Sequence, residues 1–292
     1  MKVRVGYGLG VRTPTLDGPR FGDLVDALEG LKFDSLWLSE RISGACPDPI
    51  VGLAFAAARS KKLKLGTSVQ VLPGRNPFLV AKEWASLDRL SGGRTLPAFG
   101  LGVADPKEQA AFGVERSERA ALFDTALAKV RALWLGEEVE GVKVEPLPVQ
   151  SPPDVWLGGI AKSELRRVGR VGDGWLPSFC TAADVEAGRP LIEATAAEHD
   201  RKMDPEHYGA LIPYLPTAQE LPDILVAAVK ARRPDLEDAA DIVPAGMDAV
   251  VATIERFVAV DTTKFVLVPV IEPESWEQHL EEVAAAVRPL EN

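Results

Sequence analysis

The chain reads as a single closed (β/α)8 barrel, the TIM-barrel architecture, over residues 1–292, and three observations carry that prediction. Short apolar runs alternate eight times with stretches at helical spacing. The runs are apolar on both faces, as in parallel strands covered by helices, not polar at every second residue. One stretch, Leu63 to Gly102, shows the repeating unit whole: strand, loop, helix and strand without interruption. Eight such units in a chain of this length favour closure over an open doubly wound sheet.

Within that stretch Leu63 to Val71 is rich in apolar and β-branched residues and stops at Pro73-Gly74, a turn signal. Pro77 stands where a first-turn proline is tolerated. Phe78 to Leu90 then carries Leu79, Trp84, Leu87 and Leu90 at helical spacing before Gly92 and Gly93 end it. Leu96 to Leu101 is the next strand. Going back to the start, Val3 to Leu9 is the first strand, Phe21 to Leu31 a helix, Ser35 to Leu38 the second strand and Ile50 to Ser60 a helix. After Gly102 a polar segment, Val103 to Arg116, precedes the helix Ser117 to Leu135. A charged, then proline-rich connector with room for one short strand follows, Glu137 to Pro153. Strand five is Asp154 to Leu157, with a helix over Ser163 to Val171, and strand six is Gly174 to Pro177, with a helix from Ala183 to about Arg201. Strand seven is Tyr208 to Ile212, helices cover Leu221 to Arg232 and Met247 to Val258, strand eight is Phe265 to Val270, and a last helix runs Glu274 to Val287.

A formal net charge of −10 provides no basic field for nucleic acid or an anionic membrane, and neither partner is expected. Two cysteines, Cys46 and Cys180, make no disulfide framework, and His199, His207 and His279 fall at no metal-ligand spacing. No run approaches the roughly eighteen apolar residues of a membrane helix. The first residues, MKVRVGYGLG, turn glycine-rich where a signal peptide has its apolar core. A reducing cytoplasm is the expected location. The Rossmann fingerprint is absent: from Gly6, Gly8 or Gly100 its third glycine would fall on Val11, Thr13 or Asp105.

In such barrels the working groups follow the strands. Here those groups are Gly10 and Arg12, Ser39 and Glu40, Ser68 to Arg75, Gly102 to Asp105, Gly158 to Ile160, and Ser178 with Phe179. The set is poor in acids, bases and nucleophiles and holds no triad, which argues against hydrolysis and for a cofactor that brings its own reactivity. Glu40 is either a catalytic acid or the ion-pair partner of Arg41, Arg12 or Arg75. Gly158-Gly159-Ile160 before a helix is either a tight turn or a place where backbone N–H groups meet a phosphate. Trp84 and Trp134 read as packing between barrel and helices. Trp37, opposite in phase to Leu36 and Leu38, reads as a core layer, and Asp88 and Arg94 as structural ties.

FDSLWLSER (33–41), LGTSV (65–69), LDRLSGGR (87–94), FGLG (99–102), ERAALFD (118–124) and VWLGGIAKSELRRVGRVGDGW (155–175) occur in an order and spacing that covers nearly the whole chain. By these segments the sequence resembles the luciferase-like monooxygenase superfamily, in particular its branch dependent on the deazaflavin coenzyme F420. The resemblance implies a barrel of the bacterial-luciferase type that lays a flat ring across the strand ends. A bulge after strand three presses on the ring, with a non-proline cis peptide at Ser68-Val69, and the cofactor phosphate lies on Gly158-Gly159-Ile160. The candidate cofactor contacts are then Ser39, Glu40, Ser68, Val69, Gly102, Gly158, Gly159 and Ile160, with Glu40 the one candidate catalytic residue. The implied activity is hydride transfer between coenzyme F420 and a small organic molecule. The alternatives are an FMN-dependent monooxygenase and a barrel that binds flavin without turnover. Arg75 and Lys162 are the candidates to meet the acidic cofactor tail, and a homodimer is common in the family. Sugar-phosphate dehydrogenases of the family carry Asp-His after strand two and a glutamate just after strand four. This chain has Ser39-Glu40 and, at the second place, Val103 or a neighbour, and its segment before strand five is short, so that substrate class is not expected here.

Overall fold

Residues 2–10 and 17–291 are described in a computed structural model of the chain. Arg12 therefore lies outside the described residues. Strand one, Arg4–Leu9, pairs in parallel with strand two, Ser35–Leu38, on one side and with strand eight, Lys264–Pro269, on the other. Strand three is broken into Lys64–Thr67 and Gln70–Val71, and strand four into Thr95–Leu96 and Ala98–Gly100, the second break falling at Pro97, which has no N–H to give to a ladder. Strand five, Trp156–Leu157, and strand six, Gly174–Trp175, continue the round. Bridges from Trp175 to Tyr208 and from Ser178 to Leu211 then join strand six to strand seven, Gly209–Tyr214, and strand seven pairs with strand eight. Every link is parallel and the ring closes, so the expected (β/α)8 barrel is the observed one.

Among the described residues ten α-helices wrap it: α1 Gly18–Gly30, α2 Pro49–Arg59, α3 Pro77–Ser91, α4 Pro106–Phe112, α5 Arg119–Trp134, α6 Lys162–Val171, α7 Ala182–Glu198, α8 Asp223–Arg232, α9 Met247–Val258 and α10 Trp276–Val287. Three of them start alike. Asp48, Asn76 and Asp105 each stand before a proline and accept a backbone N–H of the first turn through the side chain, while the proline occupies a position whose N–H would be unpaired anyway. α4 lies inside the polar segment Val103 to Arg116, to which the sequence reading assigns no helix. The connector before strand five forms no strand, only an isolated bridge between Val139 and Val142.

Two apolar layers result. Leu36, Leu38, Trp84 and Trp134 belong to the large layer between strands and helices. Trp37, Ala98, Trp156, Leu176, Val266 and Val268 fill the barrel interior. Trp37 and Trp156 meet there edge to face at 6.3 Å. They fit because their neighbours are glycines: a Cβ on Gly66 would come within 2.5 Å of the Trp37 ring, and one on Gly174 within 2.4 Å of the Trp156 ring. At the end of the barrel where the strands begin, Asp34 sits between Lys264 and Lys64, and the Lys264 ammonium also lies 5.7 Å from the Trp37 ring. Among the described residues no helix is long and apolar enough to cross a membrane.

Candidate active site

At the opposite end, where the strands finish, a cleft of about 960 Å³ is lined by residues following all eight strands. Ser39, Glu40, Ser68, Val69, Gly102, Gly158, Gly159 and Ile160 all line it. The topology thus brings together all eight candidate cofactor contacts, from positions 39 to 160.

Its floor is the break in strand three. The Ser68-Val69 peptide is cis. Side-chain bonds supplement the backbone ladder around it: the Thr67 hydroxyl donates to the Ala98 carbonyl at 2.7 Å and accepts the Ala98 N–H at 2.9 Å. The Ser39 hydroxyl lies 3.1 Å from the Ser68 carbonyl and 3.2 Å from its hydroxyl. Val69 lies over strand four at Gly100, where a Cβ would stand 2.4 Å from a Val69 methyl. The bulge is therefore a packed feature, held from strand two by a serine and accommodated on strand four by a glycine.

Glu40 pairs with Arg75 and accepts the Val71 N–H at 2.6 Å, with its side chain only 3% exposed. Of the partners expected for it, Arg41 instead faces Asp105 and Glu108. Burial raises the Glu40 pKa, and the Val71 N–H and Arg75 partly oppose that rise. The remaining carboxylates that line the cleft are engaged too. Asp105 bonds Arg41 at 3.1 Å, Glu108 accepts the Ile42 and Ser43 N–H groups at 3.1 and 3.0 Å, and Glu164 accepts the Ala161 N–H at 3.0 Å. Arg75 and Lys162, expected near the cleft mouth, do not line the cleft. Arg75 is committed to Glu40 and to the Val71 carbonyl, and Lys162 is exposed on the first turn of α6.

Among the cations that do line it are two on helices α5 and α6. Arg119, at the start of α5, donates to the carbonyls of Leu101, Gly102 and Val103 at 2.9 to 3.1 Å. Its buried Nε has no partner among the described residues, and burial lowers its pKa. Arg167 on α6 bonds Asp124 at 2.8 Å and lies over Phe123. Sequence reasoning missed both, since charged helical residues read as a solvated face; the one available signal was the place of Arg119 within ERAALFD.

Gly158-Gly159-Ile160 leads from strand five into α6. Gly159 has φ +89°, and a Cβ there would meet the Glu164 carboxylate at 2.3 Å. Its carbonyl is fixed by the Trp175 indole N–H at 2.9 Å. Among the described residues no acceptor takes the Gly159 or Ile160 N–H. The opposite wall is apolar, built from Leu211, Pro213, Val268, Pro269, Leu225 and Ala228.

Fold and cleft together define a (β/α)8 barrel with a strand-end site that has an apolar wall on one side and anion-ready donors on the other. The chain belongs to the luciferase-like monooxygenase family, whose model matches residues 6–262. It is 30% identical over 215 residues to the F420-dependent glucose-6-phosphate dehydrogenase of Beutenbergia cavernae, a match covering 61% of this chain and 62% of that protein. The chain thus spans less than two thirds of that relative. Its fold is shared with an F420-dependent secondary alcohol dehydrogenase solved with an F420-acetone adduct (TM-score 0.80, 17% identity, all of both chains). It is shared equally with the FMN-bound oxygenating constituent of 3,6-diketocamphane monooxygenase from Pseudomonas putida (TM-score 0.78, 14% identity, 98% of this chain and 97% of that one).

Proposed function

We propose that this chain is an oxidoreductase that binds coenzyme F420 and exchanges a hydride between it and a small, largely apolar organic molecule. The observation that carries this reading is the state of the carboxylates: each of those lining the cleft among the described residues is already bonded to an arginine or to backbone N–H groups. A site arranged so offers positioning and exclusion of water and leaves no carboxylate free to shuttle protons.

The residues present fit a phosphorylated tricyclic cofactor. The open N–H groups of Gly159 and Ile160, the space over Gly159 that admits no side chain, and the unpartnered Nε of Arg119 suit a phosphate. The Ser68-Val69 bulge and the apolar wall suit a flat ring and an apolar substrate. When bound, a deazaflavin supplies a carbon centre that accepts or gives a hydride. Ser39 and Ser68 would orient the ring edge by hydrogen bonding, and Leu211, Pro213 and Val268 would keep water from the reacting face. The sequence relative named for F420 supports the deazaflavin; the equal likeness of fold to an FMN enzyme makes FMN the competing cofactor.

Titration of the purified protein with each cofactor, followed by absorbance and fluorescence, tests the proposal. Binding of F420 at micromolar or tighter Kd, with FMN at least about tenfold weaker, is the expected result. Tight FMN binding with no measurable F420 binding would overturn it in favour of a monooxygenase.

A further inference from the structure

Glu40 follows strand two, yet everything its carboxylate bonds belongs to strand three and the turn after it. One oxygen accepts the Val71 N–H at 2.6 Å and the other pairs with Arg75. The Glu40 N–H in turn donates to the Val69 carbonyl at 3.3 Å. Arg75 completes the circuit by donating from Nε to the Val71 carbonyl at 2.9 Å, with its guanidinium 5.8 Å from the centre of the Phe112 ring. Residues 69–71 are thus gripped by one carboxylate and one guanidinium immediately beyond the bulge. Arg75 does not itself line the cleft, although its partners Glu40, Val71 and Phe112 do, so it acts on the cleft only through them.

We propose that Glu40 and Arg75 form a positioning pair that sets the bulge at Ser68-Val69 against the cofactor ring, and that Glu40 takes no part in proton transfer. The role toward the ring rests on the function proposed above; the brace itself does not. Both carboxylate oxygens are engaged, one by a backbone N–H and one by a guanidinium, a charge-assisted arrangement that is directional and strong when shielded from water. Strand two ends at Leu38, and beyond that end the Glu40 carboxylate, not a ladder carbonyl, takes the Val71 N–H. Loss of either member should therefore free the same backbone amide. Because they act as one unit, losing both should do little more than losing one.

The test uses Glu40→Gln, Arg75→Gln and the double variant, with Arg75→Lys as a conservative control that keeps the charge but not the Nε bond. In the cofactor-free protein, hydrogen exchange of the Val71 amide is expected to quicken about tenfold or more in each single variant and no further in the double. In the loaded protein, both singles should weaken cofactor binding about tenfold and shift the bound chromophore's absorption in the same direction, with both limbs of the pH profile of kcat/KM retained. Unchanged exchange at Val71 in the variants would overturn the brace. So would wild-type cofactor affinity in Arg75→Gln combined with a Glu40→Gln protein that binds cofactor normally but loses turnover and one limb of the profile, because Glu40 would then be an acid or base. Should the wild type bind neither cofactor, the proposed function fails while the exchange measurement still decides the brace. If Glu40→Gln does not fold, Arg75→Gln and its Lys control decide it alone.

Discussion

Arg119 is the residue on which the anion side of the cleft turns. It is half-buried, bonds only backbone carbonyls, and has a buried Nε without a partner among the described residues. A phosphate reaching it would gain a charge-assisted hydrogen bond worth about 1.5–3 kcal/mol. Arg119→Met should accordingly weaken binding of the phosphorylated cofactor about 10- to 100-fold while leaving the phosphate-free chromophore at its wild-type affinity. Equal loss for both ligands would show that Arg119 only shapes the turn after strand four. Other residues of the site were legible earlier because strand ends are legible: Ser39, Ser68 and the double glycine each follow a short apolar run. The partner of Glu40 was not, since Arg41, Arg12 and Arg75 all follow strands along the chain, and the packing of strand two beside strand three selects Arg75.

The elements follow local chemistry closely. The missed helix α4 has the same signature as α3, Asp105-Pro106 and Gly113 against Asn76-Pro77 and Gly92, with both glycines in the left-handed region at φ +64° and +73°. Its polar composition hid it, although caps carry the information that periodicity lacks in so short a segment. The connector before strand five has no such signature. It is held by tertiary bonds to one carboxylate, Asp88 of α3, which accepts from the Val149 N–H at 2.7 Å, the Gln150 N–H at 2.9 Å and the Thr95 hydroxyl at 2.6 Å. Asp88→Ala would leave the buried Thr95 hydroxyl and the half-buried connector N–H groups without their acceptor, at a cost of about 1–3 kcal/mol. Chemical denaturation should show that loss without a change in helix content. A loss below about 0.5 kcal/mol would mean that water replaces the carboxylate.

At the scale of the whole barrel, the charges where the strands begin govern its response to acid. Burial alone would raise the Asp34 pKa, but Lys264 and Lys64 outweigh it and hold that pKa at about 2. The folded value lies below the unfolded one of about 3.9. Its contribution is therefore present above about pH 4 and is lost as pH falls through about 2. That contribution is on the order of 2 kcal/mol. Denaturant titrations at stepped pH should show it in the wild type, and Asp34→Asn should be less stable at neutral pH yet flatter across that window. An equally steep acid limb in the variant would assign the loss to other carboxylates. Lys264, 3% exposed and bonded to Asp34, ties strand eight to the residue just before strand two across the base of strand one.

What the sequence by itself determined is the run of buried strands, their number, their closure and the end of the barrel at which the cleft lies. These follow from apolar runs and turn residues read along the chain, because burial on both faces leaves a local trace in composition. It also set Trp37 in a core layer on the opposite face from Leu36 and Leu38, since phase within one strand is a matter of alternation. What the tertiary structure alone decided is the pairing of side chains across strands: Glu40 with Arg75, Asp88 with the connector, Arg119 with the turn of strand four. The stagger of neighbouring strands and the rotation of each helix against them set these partners. Both depend on how all the layers pack at once, which no single segment of the sequence encodes.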